Sequence, residues 1–599
     1  MKWINISLET LLIFLILFSP LIYGSITVLP LTIVELVSFI LLFIFLLKLY
    51  LQEKFSLIRA PFLALILFTG FIIFQLIPLP AGLLKAISPS TWALYRDFRP
   101  GYNYFFTLSI YPDATVNLLL QLLSFLAVFF VTLNYIDNEE RGRRVILAVI
   151  LSGFLCALFG LIRRFTVPVS GFSTFTNRNH FAAYMEMIIP LGITFALIEK
   201  EKTRKAILIF MTSVMGLALL LSLSRGGVIC FFLSLLLALG LLRLKHRLKK
   251  GLMAIVSLGF LLSLFLAAIG AGSITKRLET LQNPLKAMAG RTEVLKDAPK
   301  MIADFPVFGT GFGTFIDIFP KYKTFESKTY RFAHNEPLQL AVETGILGFL
   351  LFFTFLLLYS KDVFSLWLKR RNPFAVYITL ACFIGLISVS LHSFIEFMFH
   401  VPAVALLFLI ILALMFRVVY IKEEQSALPV PQRVFILSKS LKLVVIGVAC
   451  FSFLSLESFI VKRYQAEVDF YSAKGWEVNR LGPEIAVLLK RSLKEINQAI
   501  RLNPLNSGFF ARKADFLCNA AGRVDVQDIL SFDIESIAGP EDALSRAEKL
   551  YMQALALNPT KAEYHFRLGL VLNSLGREEE ARKQFMNVRI LDPHNKFIK

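Results

Sequence analysis

The chain has 599 residues, 56% of them hydrophobic and only 18% charged, with 59 phenylalanines. This composition excludes an ordinary soluble globular protein and fits one that uses lipid as part of its solvent. A formal charge of +21 would point a soluble chain towards nucleic acid. In a membrane chain, Lys and Arg instead mark cytoplasmic loops, so no nucleic-acid partner is expected.

Apolar runs at 8–27, 31–48, 60–78, 115–135, 145–162, 182–198, 206–222, 228–243, 252–271, 338–359, 374–391, 401–417 and 441–460 predict an all-α polytopic membrane protein of roughly thirteen transmembrane helices. Lys2 precedes a long apolar run without a small-residue cleavage site, which reads as an uncleaved first span. Basic clusters fall in alternate connections: Lys48 to Arg59, Arg141 to Arg144, Lys200 to Lys205, Arg243 to Lys250 and Lys369 to Arg371. The connections near Pro30 and at 392–400 hold no Lys or Arg. This alternation places the N-terminus in the cytoplasm, and an odd number of spans places everything after Ile460 outside. Three outward segments are long, 79–114, 163–181 and 272–337, with helix-like periodicity at 81–99 and 287–304. Cys156, Cys230, Cys382 and Cys450 lie in apolar runs and Cys518 stands alone, so neither a disulfide framework nor a zinc site is expected.

Beyond residue 460 the chain turns polar and repeats itself. "AIRLNP" ends at Pro504, "ALALNP" at Pro559 and "RILDP" at Pro593, the last two prolines 34 residues apart. That is the tetratricopeptide period. Tyr564, Leu568, Gly569 and Leu572 are expected to interlock two helices, Gly576 to make the turn and Ala581 to allow close packing. Two to three such repeats, with an insertion around 520–545, predict a second helical domain over 461–599 with a concave face for a protein or peptide partner.

The outward segments carry unexpected arginines. In "LSLSRGGV", Arg225 sits between two spans, where the topology predicts no positive charge and where an arginine is a functional candidate by default. Arg291 opens a helix that ends at Gly309, Gly311 and Gly313, and that glycine run reads as a loop rather than a dinucleotide motif. His334 and Asn335 precede a span; histidine titrates near neutrality and suits general-base work, and Glu336 lies beside it. "FSTFTNRNHFAAY" adds Arg178, Asn179 and His180, and Arg163 and Arg164 end the preceding span. Arginines favour bidentate phosphate contacts, so an anionic lipid headgroup at the outer leaflet would account for the cluster. In "HSFIEFMFHVP", His392, Glu396 and His400 are read as packing or supporting residues. The outward loops show no tight Asp/Glu cluster of the kind Mg²⁺ prefers, and no cofactor is expected.

"SRGG" at 224–227, "GR" at 290–291 leading into "FPVFGTGFGTF", and "HNEPLQLAVETGILG" at 334–348 resemble segments of the O-antigen ligase family. The resemblance extends over roughly residues 8–420, including "FTNRNHFAAY" and "HSFIEFMFHVP". It implies a GT-C-like membrane core over 1–460, with the loop 272–337 on the periplasmic side of the bacterial inner membrane. It further implies transfer of a glycan from undecaprenyl diphosphate to an acceptor hydroxyl, without metal and with inversion. Arg225 and Arg291 match the family's diphosphate-binding arginines and His334 its essential histidine. Arg178, Asn179, His180, Asn335 and Arg164 are further substrate-binding candidates. O-antigen polymerases and bacterial protein O-oligosaccharyltransferases share this core and donor, and the simplest ligases lack a repeat domain, so lipid A core, a growing glycan and a protein all stand as acceptors. A transporter would show mid-membrane charges and repeated spans, and a bare scaffold would need no outward arginines.

Overall fold

The computed structural model describes residues 1–52, 55–58, 61–101, 103–166, 171–244, 291–325, 330–421, 432–435, 438–474, 484–521 and 539–594. In chain order its helices begin with α1 (Lys2–Leu21), α2 (Val28–Leu51), the short α3 (Leu63–Phe74), α4 (Ala81–Ile87) and α5 (Pro89–Phe98). They continue with α6 (Pro112–Tyr135), α7 (Glu139–Thr166), α8 (Arg178–Ile198), α9 (Lys202–Leu221) and α10 (Arg225–Leu244). After α11 (Arg291–Asp304) come α12 (Glu336–Lys369), α13 (Pro373–His392), α14 (Pro402–Val419) and α15 (Lys439–Lys474). Eleven helices among the described residues are long and apolar enough to cross a membrane. The predicted run 60–78 corresponds to the shorter α3, and 252–271 lies outside the described residues. The periodic stretches at 81–99 and 287–304 fold as α4, α5 and α11.

In lipid a backbone must satisfy its own hydrogen bonds, so each apolar run closes into a helix. Prolines that need no N–H open α6, α13 and α14, and the side chains of Asn177, Asn335 and Asn372 cap α8, α12 and α13. The enclosed helices α8, α13 and α14 form the centre, while the membrane stretch of α15 is almost uncovered by protein. On one face β1 (Phe55–Ile58) pairs antiparallel with a late strand (Gln432–Phe435), Phe55 opposite Phe435. Arg144, at the start of α7, pairs there with Glu9 of α1 and with Glu140. Lys48, Arg141 and Arg144 thus lie on the side of the N-terminus.

On the opposite face the described parts of the long segments that the sequence places outside pack together. A two-residue ladder, Leu79–Pro80 against Phe105–Phe106, braces the loop before α6. Gly309, Gly311 and Gly313 all take positive φ and wrap the carboxylate of Glu343. Gly313 N–H donates to Glu343 Oε2 at 2.8 Å, Phe315 N–H to Oε1 at 3.3 Å and Gln339 Nε2 to Oε1 at 3.1 Å. A Cβ on Gly309 would stand 2.4 Å from the Glu343 backbone, so only glycine fits. The run offers N–H groups to an acceptor, and that acceptor is the chain's own Glu343 carboxyl.

Residues 461–599 do not begin where the last span ends. α15 runs unbroken from the membrane into the repeats, where Ala466 and Ala473 join their core. Next come α16 (Glu484–Leu502), α17 (Ser507–Ala521), α18 (Pro540–Leu557), α19 (Ala562–Ser574) and α20 (Glu578–Leu591). Tyr564, Leu568, Leu572 and Ala581 are buried as expected, a Cβ on Gly569 would meet Phe585 at 2.7 Å, and Gly576 turns with φ +74°.

Glu343 is 1% exposed, and removing its carboxylate orphans two loop N–H groups. Glu343→Ala is expected to lower stability by about 2–3 kcal/mol, measured by thermal unfolding of the detergent-solubilised protein.

Candidate active site

Five segments converge on the face opposite the N-terminus: the start of α8, the turn into α10, the start of α11, the residues leading into α12, and the connection 393–401 between α13 and α14. Their centre is Glu396, whose side chain is 1% exposed. His334 Nδ1 lies 2.6 Å from Glu396 Oε1, Arg291 donates to Oε2 at 2.9 Å, and Asn179 Nδ2 donates to the same oxygen at 2.6 Å. Burial by itself would raise the pKa of this carboxyl. Hydrogen bonds from His334 and Asn179 and the charge of Arg291 outweigh burial and hold it down at about 2. Glu396 is therefore an anion at any working pH.

A carboxylate can only accept, so His334 donates through Nδ1, which in a neutral imidazole makes Nε2 the proton acceptor. His334 also takes φ +51°, the left-handed region that a non-glycine residue adopts at a cost. Its ring meets Phe397 edge-to-face at 4.9 Å, and His180 meets the same ring at 4.8 Å. His180 is buried, and its Nε2 has no hydrogen-bond partner among the described residues.

Arg178 and Arg225 are the first residues of α8 and α10, and Arg291 is the first described residue of α11. Cations at the N-termini of α8 and α10 work against the helix dipole, so Arg178 and Arg225 are not there for helix stability. Arginine forks and helix N-termini together make a field that attracts an anion. The turn into α10 is tied to the centre through Ser224 Oγ, which donates to Asn179 Oδ1 at 2.8 Å. Below it lies a pair that the sequence reading undervalued. Glu186, fully buried within α8, accepts from His392 Nδ1 at 2.8 Å and from Ser388 Oγ at 2.7 Å. A Cβ on Gly226 would stand 2.9 Å from His392 Nε2, and one on Gly227 would stand 2.8 Å from Glu186 Oε1. The two glycines let the Arg225 turn settle directly on that pair.

The other predicted residues divide. Asn335 caps α12 through Leu338 N–H at 2.9 Å and donates to Phe394 O at 3.0 Å, so both ends of its amide are used locally. Asn179 is likewise engaged at both ends. Arg164 lies exposed at the end of α7 and takes no part in these contacts, whereas Arg163 donates to Ser173 O at 2.8 Å. His400 leans on Glu336 at 3.2 Å. Burial disfavours its charge, yet Glu336 and Glu343 more than compensate and its pKa is raised. Glu396 and Glu186 are the residues the sequence reading passed over as centres, and a lone acid inside an apolar span was the signal for Glu186.

Comparison with known families bears on this arrangement. Residues 209–353 match the model of the O-antigen ligase family. Within that stretch the chain is similar to the family that its motifs resemble. The matched stretch includes Arg225, Arg291 and His334, while Asn179 and Glu396 lie outside it. Residues 550–583 match the tetratricopeptide repeat. No curated protein matches the chain.

The depressed carboxyl of Glu396 links stability to pH. The contribution is present above about pH 4.5 and is lost as pH falls towards 2; it is on the order of 2–3 kcal/mol. Glu396→Gln is expected to flatten that acid limb, read from unfolding midpoints across pH 2–7.

Proposed function

We propose that the chain is a lipid-linked glycan transferase of the O-antigen ligase type. It moves a glycan from undecaprenyl diphosphate to an acceptor hydroxyl at the outer face of the bacterial inner membrane. The observation that carries this reading is the buried Glu396 holding a guanidinium and an imidazole side by side, among helix ends that begin with arginine.

In this reading the acceptor O–H attacks the anomeric carbon on the face opposite the diphosphate. The new C–O bond forms as the bond to the diphosphate oxygen breaks, and the configuration inverts. The acceptor proton passes to His334 Nε2, while Glu396 keeps Nδ1 protonated and steadies the imidazolium that results. Charge developing on the departing undecaprenyl diphosphate meets Arg225 and the N–H donors of Arg291 that Glu396 leaves open. Arg291 is suited to this because its side chain is 35% exposed while its partner is buried. His180 Nε2 is a further donor or acceptor for a sugar hydroxyl. The repeats stand ready for a protein partner, and lipid A core is the acceptor of a ligase.

The test is release of undecaprenyl diphosphate by the purified protein in nanodiscs, given lipid-linked donor and candidate acceptors. His334→Ala is expected to lower turnover by about 10²–10⁴-fold, and Arg225→Ala or Arg291→Ala by about 10²–10³-fold. Unchanged turnover in all three variants would sink the assignment. Glycan on lipid A core is the expected product. A ladder of units on the carrier would make the chain a polymerase, and glycan on a protein an oligosaccharyltransferase. For sidedness, a membrane-impermeant thiol reagent applied to spheroplasts should label Met586→Cys directly and Lys200→Cys only after permeabilisation; the reverse order overturns the orientation.

A further inference from the structure

The three repeated phrases end in Asn503-Pro504, Asn558-Pro559 and Asp592-Pro593. In the structure each of these Asn or Asp side chains touches the outward face of the membrane core. Asn503 Nδ2 donates to Asp113 at 3.2 Å, beside Arg463 of α15, which also pairs with Asp113. Asn558 Nδ2 donates to Asp317 at 2.9 Å, and Lys323 Nζ lies 3.5 Å from Asp592. Asp113, Asp317, Asn503 and Asn558 are all buried, and Lys323 is 7% exposed. Buried polar partners of this kind are costly to separate, because each one left alone has lost its water. The repeat stack is therefore docked by the edge that carries its turns, once per repeat.

The docking reaches the site. Val588 and Leu591 of α20 belong to the same apolar cluster as Val294, Ala298 and Met301 of α11. Those three lie four and three residues apart, on one face of the helix that begins with Arg291. Ala333, next to His334, is in that cluster too.

We infer that the repeat domain is a positioning element for the membrane site: its turn edge holds α11 and the 333–336 segment, and thereby sets Arg291 and His334 on Glu396. This rests on the catalytic reading above, and one arm of its test does not. In the full-length protein in nanodiscs, Lys323→Asp places a carboxylate against Asp592, and Asn558→Asp places one against Asp317. Each is expected to raise amide hydrogen exchange across 291–304 and 333–338 at least several-fold. Each should also cut donor turnover about tenfold with the donor KM little changed. Exchanging the charges, Lys323→Asp with Asp592→Lys, should restore both, which loss of repeat folding alone would not allow. Far-UV circular dichroism checks that each variant keeps its helices. Exchange at 291–304 that stays at the wild-type level in both single variants, or that the exchanged pair fails to restore, overturns the inference. A wild-type protein that turns over no donor would refute the transferase reading and leave the exchange result standing.

Discussion

One buried carboxylate organises the face opposite the N-terminus. Glu396 draws Arg291, His334 and Asn179 to two oxygen atoms, and these partners come from three segments far apart in the chain. An ion removed from water has to be surrounded by donors, so the position of Glu396 dictates where the other segments end. The connection that carries it is short and anchored at both ends by the enclosed helices α13 and α14. The most enclosed helices of the protein thus fix the position of Glu396.

The same device recurs around it. Glu343 gathers the glycine loop, Glu186 holds His392 and Ser388 under the α10 turn, and Glu336 accepts from Phe399 N–H and leans on His400. Each acid sits inside and organises donors or cations nearer the surface. The result is a rim of arginines over buried carboxyl groups that the protein's own donors engage. An arriving anion meets the arginines, while the carboxylates that orient them are shielded by their own partners.

Much of this was legible in the residues. The spans follow from hydropathy, the shared side of the repeats and outward loops from the alternation of Lys and Arg, and the repeat from the spacing of its prolines. Arg225, Arg291 and His334 stood out because charge at a span end is expensive. Glu396 did not, because an acid in a short outward connection is unremarkable until the fold buries it. Asn335 looked like a ligand residue for the opposite reason: an amide before a span is both a cap and a contact in sequence, and only the geometry shows its two ends taken. Pairings such as Glu396 with Asn179 span more than two hundred residues and leave no local trace. The same holds for the docking of the repeats, whose Asn-Pro and Asp-Pro turns read as mere punctuation of the period.

The unbroken α15 has a mechanical side. A helix of 36 residues is about 54 Å long at 1.5 Å per residue, and it is at once the last span and the first helix of the repeats. It behaves as a mast stepped in the bilayer. Hydrophobic mismatch is accommodated in part by tilt, and a change of about 5° in the tilt of this helix would sweep its far end through roughly 5 Å. With the repeat edge clamped to the loops, that movement is resisted at Asp113, Asp317 and Lys323. The thickness of the surrounding membrane thus becomes a load on the seam between the repeats and the site.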